Sequence, residues 1–325
     1  MNLPISARKA VIVYNPVKVD VGQLEMYAEK YRGSYTQIEW KETTEADPGF
    51  SQAKAAVEEG ADVVVACGGD GTVRLVASAV AGSSTSLGIV PVGTGNLLAR
   101  NLKLSLLPEA AMRTALQGTE RVIDMCYALV DYPDTSSEEI PFVVMAGIGI
   151  DAQMIANTDD RLKKKFGFAA YGVAILKSLR GGNRVKLLRR IDRGRWRTAR
   201  AHSVIVGNCG ELVNNLTLMP DALPDDGRID VVVMRPKGPV GWVLIFGQIV
   251  AQTADKLWST VKRGRGLRLT PDRDTDGMRY MQGAQFDVIF SHPEVFEVDG
   301  DQIGQVTGFS VRVSPSVLNV RIPKG

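Results

Sequence analysis

The feature that most constrains this chain is a series of short, almost wholly apolar segments, each stopped by turn-forming residues. Ala10-Val11-Ile12-Val13-Tyr14 ends in Asn15-Pro16. Asp62-Val63-Val64-Val65-Ala66-Cys67 runs into Gly68-Gly69-Asp70-Gly71-Thr72, and Leu87-Gly88-Ile89-Val90 into Pro91-Val92-Gly93-Thr94-Gly95-Asn96. Apolar runs of this length without polar alternation read as strands buried on both faces. Helical patterns lie between them, at Gln52–Glu59 before Gly60 and at Val73–Val80, and a further strand pattern covers Tyr35–Trp40. This alternation predicts an α/β domain with a parallel, Rossmann-like sheet over residues 1–128.

The texture changes after Tyr127. Asp131–Glu139 is polar and rich in Ser and Thr, the best loop or linker candidate. Strand patterns follow at Phe142–Met145, Arg184–Ile191, Ala201–Val206, Ile229–Met234, Gln285–Phe290, Val295–Val298, Phe309–Val313 and Val317–Ile322. Helical stretches intervene around Ala152–Leu179 and Val240–Trp258. Residues 129–307 therefore read as a β-rich, antiparallel sandwich, with 308–325 a segment able to pack back onto the first domain.

Composition removes several function classes. Cys67, Cys126 and Cys209 are odd in number and scattered, which fits a reducing cytosol and no disulfide framework. With only His202 and His292, a histidine metal cage or a Ser-His-Asp triad has little to build on. The N-terminus lacks the apolar core of a signal peptide, and no run reaches the roughly 18 apolar residues of a spanning helix. The net charge is only +3, yet Arg161–Arg200 holds fourteen Lys or Arg and one acid, Asp192. Such a block is a solvated face or the partner of an anionic surface.

Ligands of open α/β sheets sit beyond the carboxyl ends of the strands, where both glycine loops fall. Glycine lets backbone approach a phosphate, and the following helix offers free N–H groups. Neither loop is a P-loop, because no Lys-Ser/Thr pair follows, and neither completes a dinucleotide fingerprint. Each alone could be a tight turn between strand and helix. Asp70 is the informative residue: a carboxylate within a phosphate loop makes sense if it holds Mg²⁺ through water or orients the nucleotide.

Gly68-Gly69-Asp70-Gly71-Thr72, with Gly93-Thr94-Gly95-Asn96 one βα unit later, resembles the diacylglycerol kinase catalytic family. Sphingosine and ceramide kinases share this pattern, and NAD kinases are more distant. The resemblance covers nearly the whole chain and implies transfer of the γ-phosphoryl group of ATP to a lipid hydroxyl, diacylglycerol first among them, as in phospholipid biosynthesis. It implies nucleotide contacts from Asn15, Thr44, Gly68, Gly69, Asp70, Gly71, Thr72, Thr94 and Asn96. Asp70, with Asp124, would organise catalytic Mg²⁺. Pro220–Gly227 resembles a segment holding a structural Mg²⁺ through the Asp226 carboxylate and the Leu223 and Arg228 carbonyls. Gly147–Ala152 resembles the segment leading to the lipid cleft. Val298-Asp299-Gly300-Asp301 resembles the motif whose last residue is the general base.

The chain departs from the family at several points. The base position is usually Glu and here is Asp301; Arg74 and Leu97 stand where Asn and Asp are favoured, and Glu211–Asn215 replaces a glycine cluster. Asp226-Gly227 and Asp299-Gly300 also read as ordinary turn dipeptides, and Asp124 as a solvated strand end. An NAD kinase and a regulator without catalysis are the rival functions. A lipid kinase would be cytoplasmic and peripherally associated with the membrane, its basic segment contacting the anionic surface. No nucleic-acid partner is expected, and a homodimer is left open.

Overall fold

The computed structural model describes residues 8–149, 184–213, 216–261, 274–275 and 277–324. The helix expected at Ala152–Leu179 and the end of the Gly147–Ala152 segment lie outside them. The chain divides into two compact units, Met1–Met125 with Pro315–Gly325, and Cys126–Ser314.

In the first unit β1 (Arg8–Tyr14), β2 (Tyr35–Glu42), β3 (Val63–Gly68) and β4 (Ser86–Pro91) are all parallel, in the order β2-β1-β3-β4. Every residue of β3 and β4 is buried, which is why these strands show no polar alternation. Helices α1 (Val21–Lys30) and α5 (Pro108–Gln117) cover one face, where Leu24, Ala28, Met112 and Leu116 join the strand core. Helices α2 (Phe50–Glu58) and α3 (Asp70–Val80) bury Ala53, Ala56, Val76 and Val80. Asp20 starts α1, its carboxylate accepting the Gln23 N–H at 3.1 Å. A short α4 (Leu97–Asn101) follows β4. Successive strands leave β1 in opposite directions, β2 on one side and β3 on the other. The switch point, where such sheets bind ligands, therefore lies at the carboxyl ends of β1 and β3.

The second unit is antiparallel. It takes the end of β5 (Thr119–Asp131), then β6 (Ser137–Phe142), β7 (Met145–Ile148), β8 (Val185–Ile191), β9 (Arg197–Ala201), β10 (Ser203–Gly207) and β11 (Ile229–Met234). After α6 (Gly238–Val261) come β12 (Asp274–Thr275), β13 (Met278–Gly283), β14 (Gln285–Val298) and β15 (Asp301–Ile322). Pairing runs β13-β11-β10-β7-β14-β15, with β8 and then β9 added at β14. Val231 and Val233 face a core built on Phe142, Phe286, Phe296 and Phe309; Val232 and Met234 face a second, closed by Trp242, Ile245 and Ile249 of α6. Period-two alternation between two cores makes β11 apolar throughout. The last residues of β15 belong to the first unit, where Val320 pairs parallel with Leu87 of β4.

Several expectations are corrected. Of the two readings of Asp131–Glu139, loop and linker, the structure has the loop: residues 132–136 connect the paired strands β5 and β6, and the turn closes with Tyr132 N–H on the Ser136 carbonyl at 2.9 Å. Its polar residues are the turn and the exposed strand ends beside it. Gln285–Phe290 and Val295–Val298 form one strand, its register broken by an irregularity between Ile289 and Glu294. Phe309–Val313 and Val317–Ile322 likewise belong to one strand, β15. Phe142–Met145 splits between β6 and β7. Strands β9 and β13 gave no apolar signal, because Arg-rich and Met/Gln-rich segments carry little of it. Among the described residues no helix is long and apolar enough to cross a membrane.

Phe309 is 2 % exposed and packs 4.8 Å from Phe296, ring centre to ring centre. Phe309→Ala should cost about 3–5 kcal/mol through the cavity it leaves. The expected outcome is a lower denaturation midpoint of the second unit, read by near-ultraviolet circular dichroism.

Candidate active site

The first unit gathers its sequence-marked residues at one end of the sheet. Asn15 follows β1, Thr44 follows β2, Gly68 closes β3, and Gly93–Asn96 follows β4. The two glycine loops touch: a β-carbon on Gly93 would lie 2.7 Å from the Gly69 Cα. Only glycine permits that approach of backbone to backbone.

Asp70 joins the loops. Its Oδ2 accepts the Asn96 N–H at 2.8 Å and its Oδ1 the Leu97 N–H at 2.6 Å. It thus takes the otherwise unsatisfied donors at the start of α4. Asn96 stands in the left-handed region, φ 50°, and locks its own loop: Oδ1 accepts Gly93 N–H at 2.9 Å, and Nδ2 donates to the Gly93 carbonyl at 2.8 Å. Arg100 Nε holds the Gly95 carbonyl at 2.8 Å. Helix α3 begins at Asp70, within the loop, so the N–H groups of Gly71 and Thr72 lie in its first turn, where helix donors lack intrahelical partners. Thr72 is buried and Thr94 exposed.

Asn15 and Thr44 shape their loops. Asn15 Oδ1 accepts Val17 N–H at 3.1 Å, and Thr44 Oγ1 accepts Asp47 N–H at 3.1 Å. The residue missed in the sequence is Lys18. Its Nζ lies 3.4 Å from where a Gly69 β-carbon would stand, bringing a cation to the glycine loop across the switch point. Nothing local marks Lys18; only the parallel pairing of β1 with β3 brings it to the Gly69 loop. Asp124 is fully buried and accepts the Ser316 N–H at 2.8 Å, which excludes a solvated strand end.

In the second unit Asp299-Gly300 is the two-residue turn between β14 and β15, with φ 48° and 91°. The turn is more than a connector. The buried Asp299 carboxylate accepts N–H from Val143, Val144 and Met145 at 3.0, 2.9 and 2.9 Å. Asp301, half-buried, opens β15 opposite Val298.

The Asp226 turn precedes β11. Asp226 Oδ1 accepts Arg228 N–H at 3.1 Å, and Gly227 takes φ 72°. Burial pushes the neighbouring Asp230 carboxyl up to about 7, with the Asp226 and Asp221 charges adding to it. Among the described residues no three His, Cys, Asp or Glu side chains converge as a metal cage. The resemblance names one carboxylate, Asp226, and main-chain oxygens, and the raised Asp230 reports the negative field of the neighbouring Asp226 and Asp221. Those hard oxygens suit Mg²⁺, which keeps several waters of its own.

The family described as the diacylglycerol kinase catalytic domain matches residues 9–128, and that described as the YegS C-terminal NAD kinase beta sandwich-like domain matches residues 143–322. A Stenotrophomonas maltophilia protein named "Probable lipid kinase YegS-like" is 28 % identical over 302 residues, covering 91 % of this chain and 90 % of its own. One of the same name from Serratia proteamaculans is 24 % identical over 321 residues, covering 97 % and 94 %. A crystal structure described as a diacylglycerol kinase from Bacillus anthracis aligns with a TM-score of 0.67 at 15 % identity, over 97 % of both chains. At that identity the likeness speaks for the fold alone.

Asp70→Ala would leave two N–H groups without their charged acceptor, each such bond contributing about 1.5–3 kcal/mol. The melting temperature of the first unit should fall, and Asp70→Asn, which keeps the shape and one acceptor, should recover part of it. Calorimetry of the two variants checks this.

Proposed function

This chain belongs to the diacylglycerol kinase catalytic family, the lipid kinases, and from that premise we propose that it transfers the γ-phosphoryl group of ATP to the hydroxyl of diacylglycerol. The observation that carries the reading is the pair of glycine loops in contact at the switch point, bridged by Asp70 and faced by Lys18. Phosphoryl transfer requires positioning and charge neutralisation more than covalent chemistry, and this end of the sheet supplies both.

In this reading the N–H groups of Gly71 and Thr72 cradle the nucleotide phosphates, with Gly68 and Gly69 keeping the approach open. Lys18 adds positive charge there, and Asn15, Thr44, Thr94 and Asn96 shape the nucleotide's surroundings. Asp70 holds the second loop in place, and the remaining lone pairs of its carboxylate can bind a metal's water. Bound Mg²⁺ would neutralise phosphate charge at this end of the sheet. Asp124 acts as a positioning residue through Ser316. Asp301 takes the proton of the lipid hydroxyl as oxygen attacks the γ-phosphorus and ADP leaves. Asp299 fixes the backbone that presents it. A second Mg²⁺, on Asp226 and the carbonyls of Leu223 and Arg228, would stiffen the turn before β11. The acceptor lies in a membrane, so the enzyme works at its cytoplasmic surface.

Labelled ATP with a panel of diacylglycerol, monoacylglycerol, ceramide, sphingosine, phosphatidylglycerol and NAD tests the reaction. Label in phosphatidic acid is expected; label in NADP alone would replace this reading with the NAD kinase one, and no labelled product with the regulator.

Asp301→Ala should lower kcat by about 10²–10⁴-fold, the usual range for a general base, and Asp301→Glu should retain activity. Lys18→Ala should raise KM for ATP more than it lowers kcat, read from steady-state kinetics against ATP. Mg²⁺ should raise the melting temperature of the wild type and not that of Asp226→Ala, since only a bound ion stabilises by mass action. Equal Mg²⁺ shifts would remove Asp226 as a ligand.

A further inference from the structure

Strands β8 and β9 form a hairpin whose outward face is unlike the rest of the second unit. Its pairing sets three rows across β9, β8 and β14. Arg200 stands opposite Lys186; Thr198 opposite Leu188, itself opposite Ile289; and Arg190 opposite Asp287. The inward side chains Val185 and Leu187 are buried in the phenylalanine core. Outward, the middle row is apolar and open: Leu188 is 42 % and Ile289 48 % exposed. At the hairpin end Trp196 is 41 % exposed, with the Arg190 guanidinium 4.7 Å from its ring centre. Arg190 is also held by Asp287 at 2.5 Å, so the indole is fixed on the surface.

The acids at this face are engaged, Asp287 by Arg190, and the remaining charges are basic. Lys186, Arg193, Arg195 and Arg200 are exposed, and none makes an ion pair with a described residue; Arg197, opposite the buried Arg189, belongs to the other face of the hairpin. The hairpin's single acid, Asp192, is occupied with the N–H groups of Ala284 and Gln285 at 2.7 and 3.1 Å. Among the described residues β9 pairs only with β8, and charge on an edge strand guards against edge-to-edge association. That accounts for Arg197 and Arg200. It does not account for an exposed Leu–Ile pair and an exposed Trp ringed by arginines, a combination that suits the boundary between headgroups and acyl chains.

We propose that the outward face of β8, β9 and β14 docks the protein on an anionic lipid bilayer, Trp196, Leu188 and Ile289 entering the headgroup boundary and Lys186, Arg193, Arg195 and Arg200 meeting lipid phosphates. This rests on the reading that the acceptor is a membrane lipid, and it names the surface that brings the protein to it. Nucleic acid would also attract the arginines, but it gives no role to the aliphatic pair.

The test uses the full chain and vesicles without ATP. Wild type should co-sediment with phosphatidylglycerol-containing vesicles far more than with phosphatidylcholine vesicles, and salt should release it. Arg193→Glu, Arg195→Glu and Arg200→Glu together should weaken that partition by roughly 100-fold or more. Trp196→Ala with Leu188→Ser should weaken it while leaving the preference for anionic lipid. Circular dichroism and melting must match the wild type, and turnover of a short-chain, water-soluble diacylglycerol should be unchanged. Equal binding to both vesicle types, indifference to salt, wild-type partition of the variants, or displacement of bound protein by duplex DNA at matched phosphate would each overturn the proposal. Docking through this face in a protein that phosphorylates no lipid would sink the substrate reading alone. Lipid phosphorylation in micelles with vesicle binding untouched by the variants would sink the docking face alone.

Discussion

The carboxylate of Asp70 is the interaction on which the first unit's site depends. Two glycine loops from neighbouring strands could adopt many conformations, since glycine loses more backbone freedom on folding than any other residue. Asp70 removes that freedom at one point by accepting the N–H groups of Asn96 and Leu97. Asn96 then closes its own loop onto Gly93. The result is a preorganised edge of backbone N–H groups, the kind of fixed dipole that stabilises phosphate charge without reorganising during reaction.

The second unit repeats the device. Asp299 takes three backbone N–H groups in a buried position, and a buried carboxylate is tolerable only when hydrogen-bonded this fully. It ties the β14–β15 turn to the segment between β6 and β7, so Asp301 begins a strand whose start is fixed from two directions. In both units an aspartate inside a glycine-containing motif serves first to hold backbone. The side chains proposed for chemistry, Lys18 and Asp301, stand next to these anchors.

The parallel α/β unit and the antiparallel β-rich unit were legible because apolar period and run length report burial directly. The helical pattern begins at Val73, three residues after the start of α3, since glycines and an aspartate carry poor helix propensity; the loop and the first turn are the same residues. At Asp131–Glu139 polarity alone marks a loop or a linker and does not tell them apart, because the pairing of β5 with β6 across the turn is set by register. Strand β9 escaped because arginines at an edge look like any solvated charge run.

The sequence by itself determined the strand cores, the two glycine loops and the order of the aspartates that follow them, since these rest on local spacing and on which residue types tolerate close backbone contact. It also carried the family's pattern, including the Asp at position 301. Tertiary structure decided what those aspartates hold, that Lys18 reaches Gly69 across the switch point, and that Leu188 and Ile289 meet on an open face. Each of these joins residues distant in the chain, and only strand register and the packing of whole elements bring such pairs together.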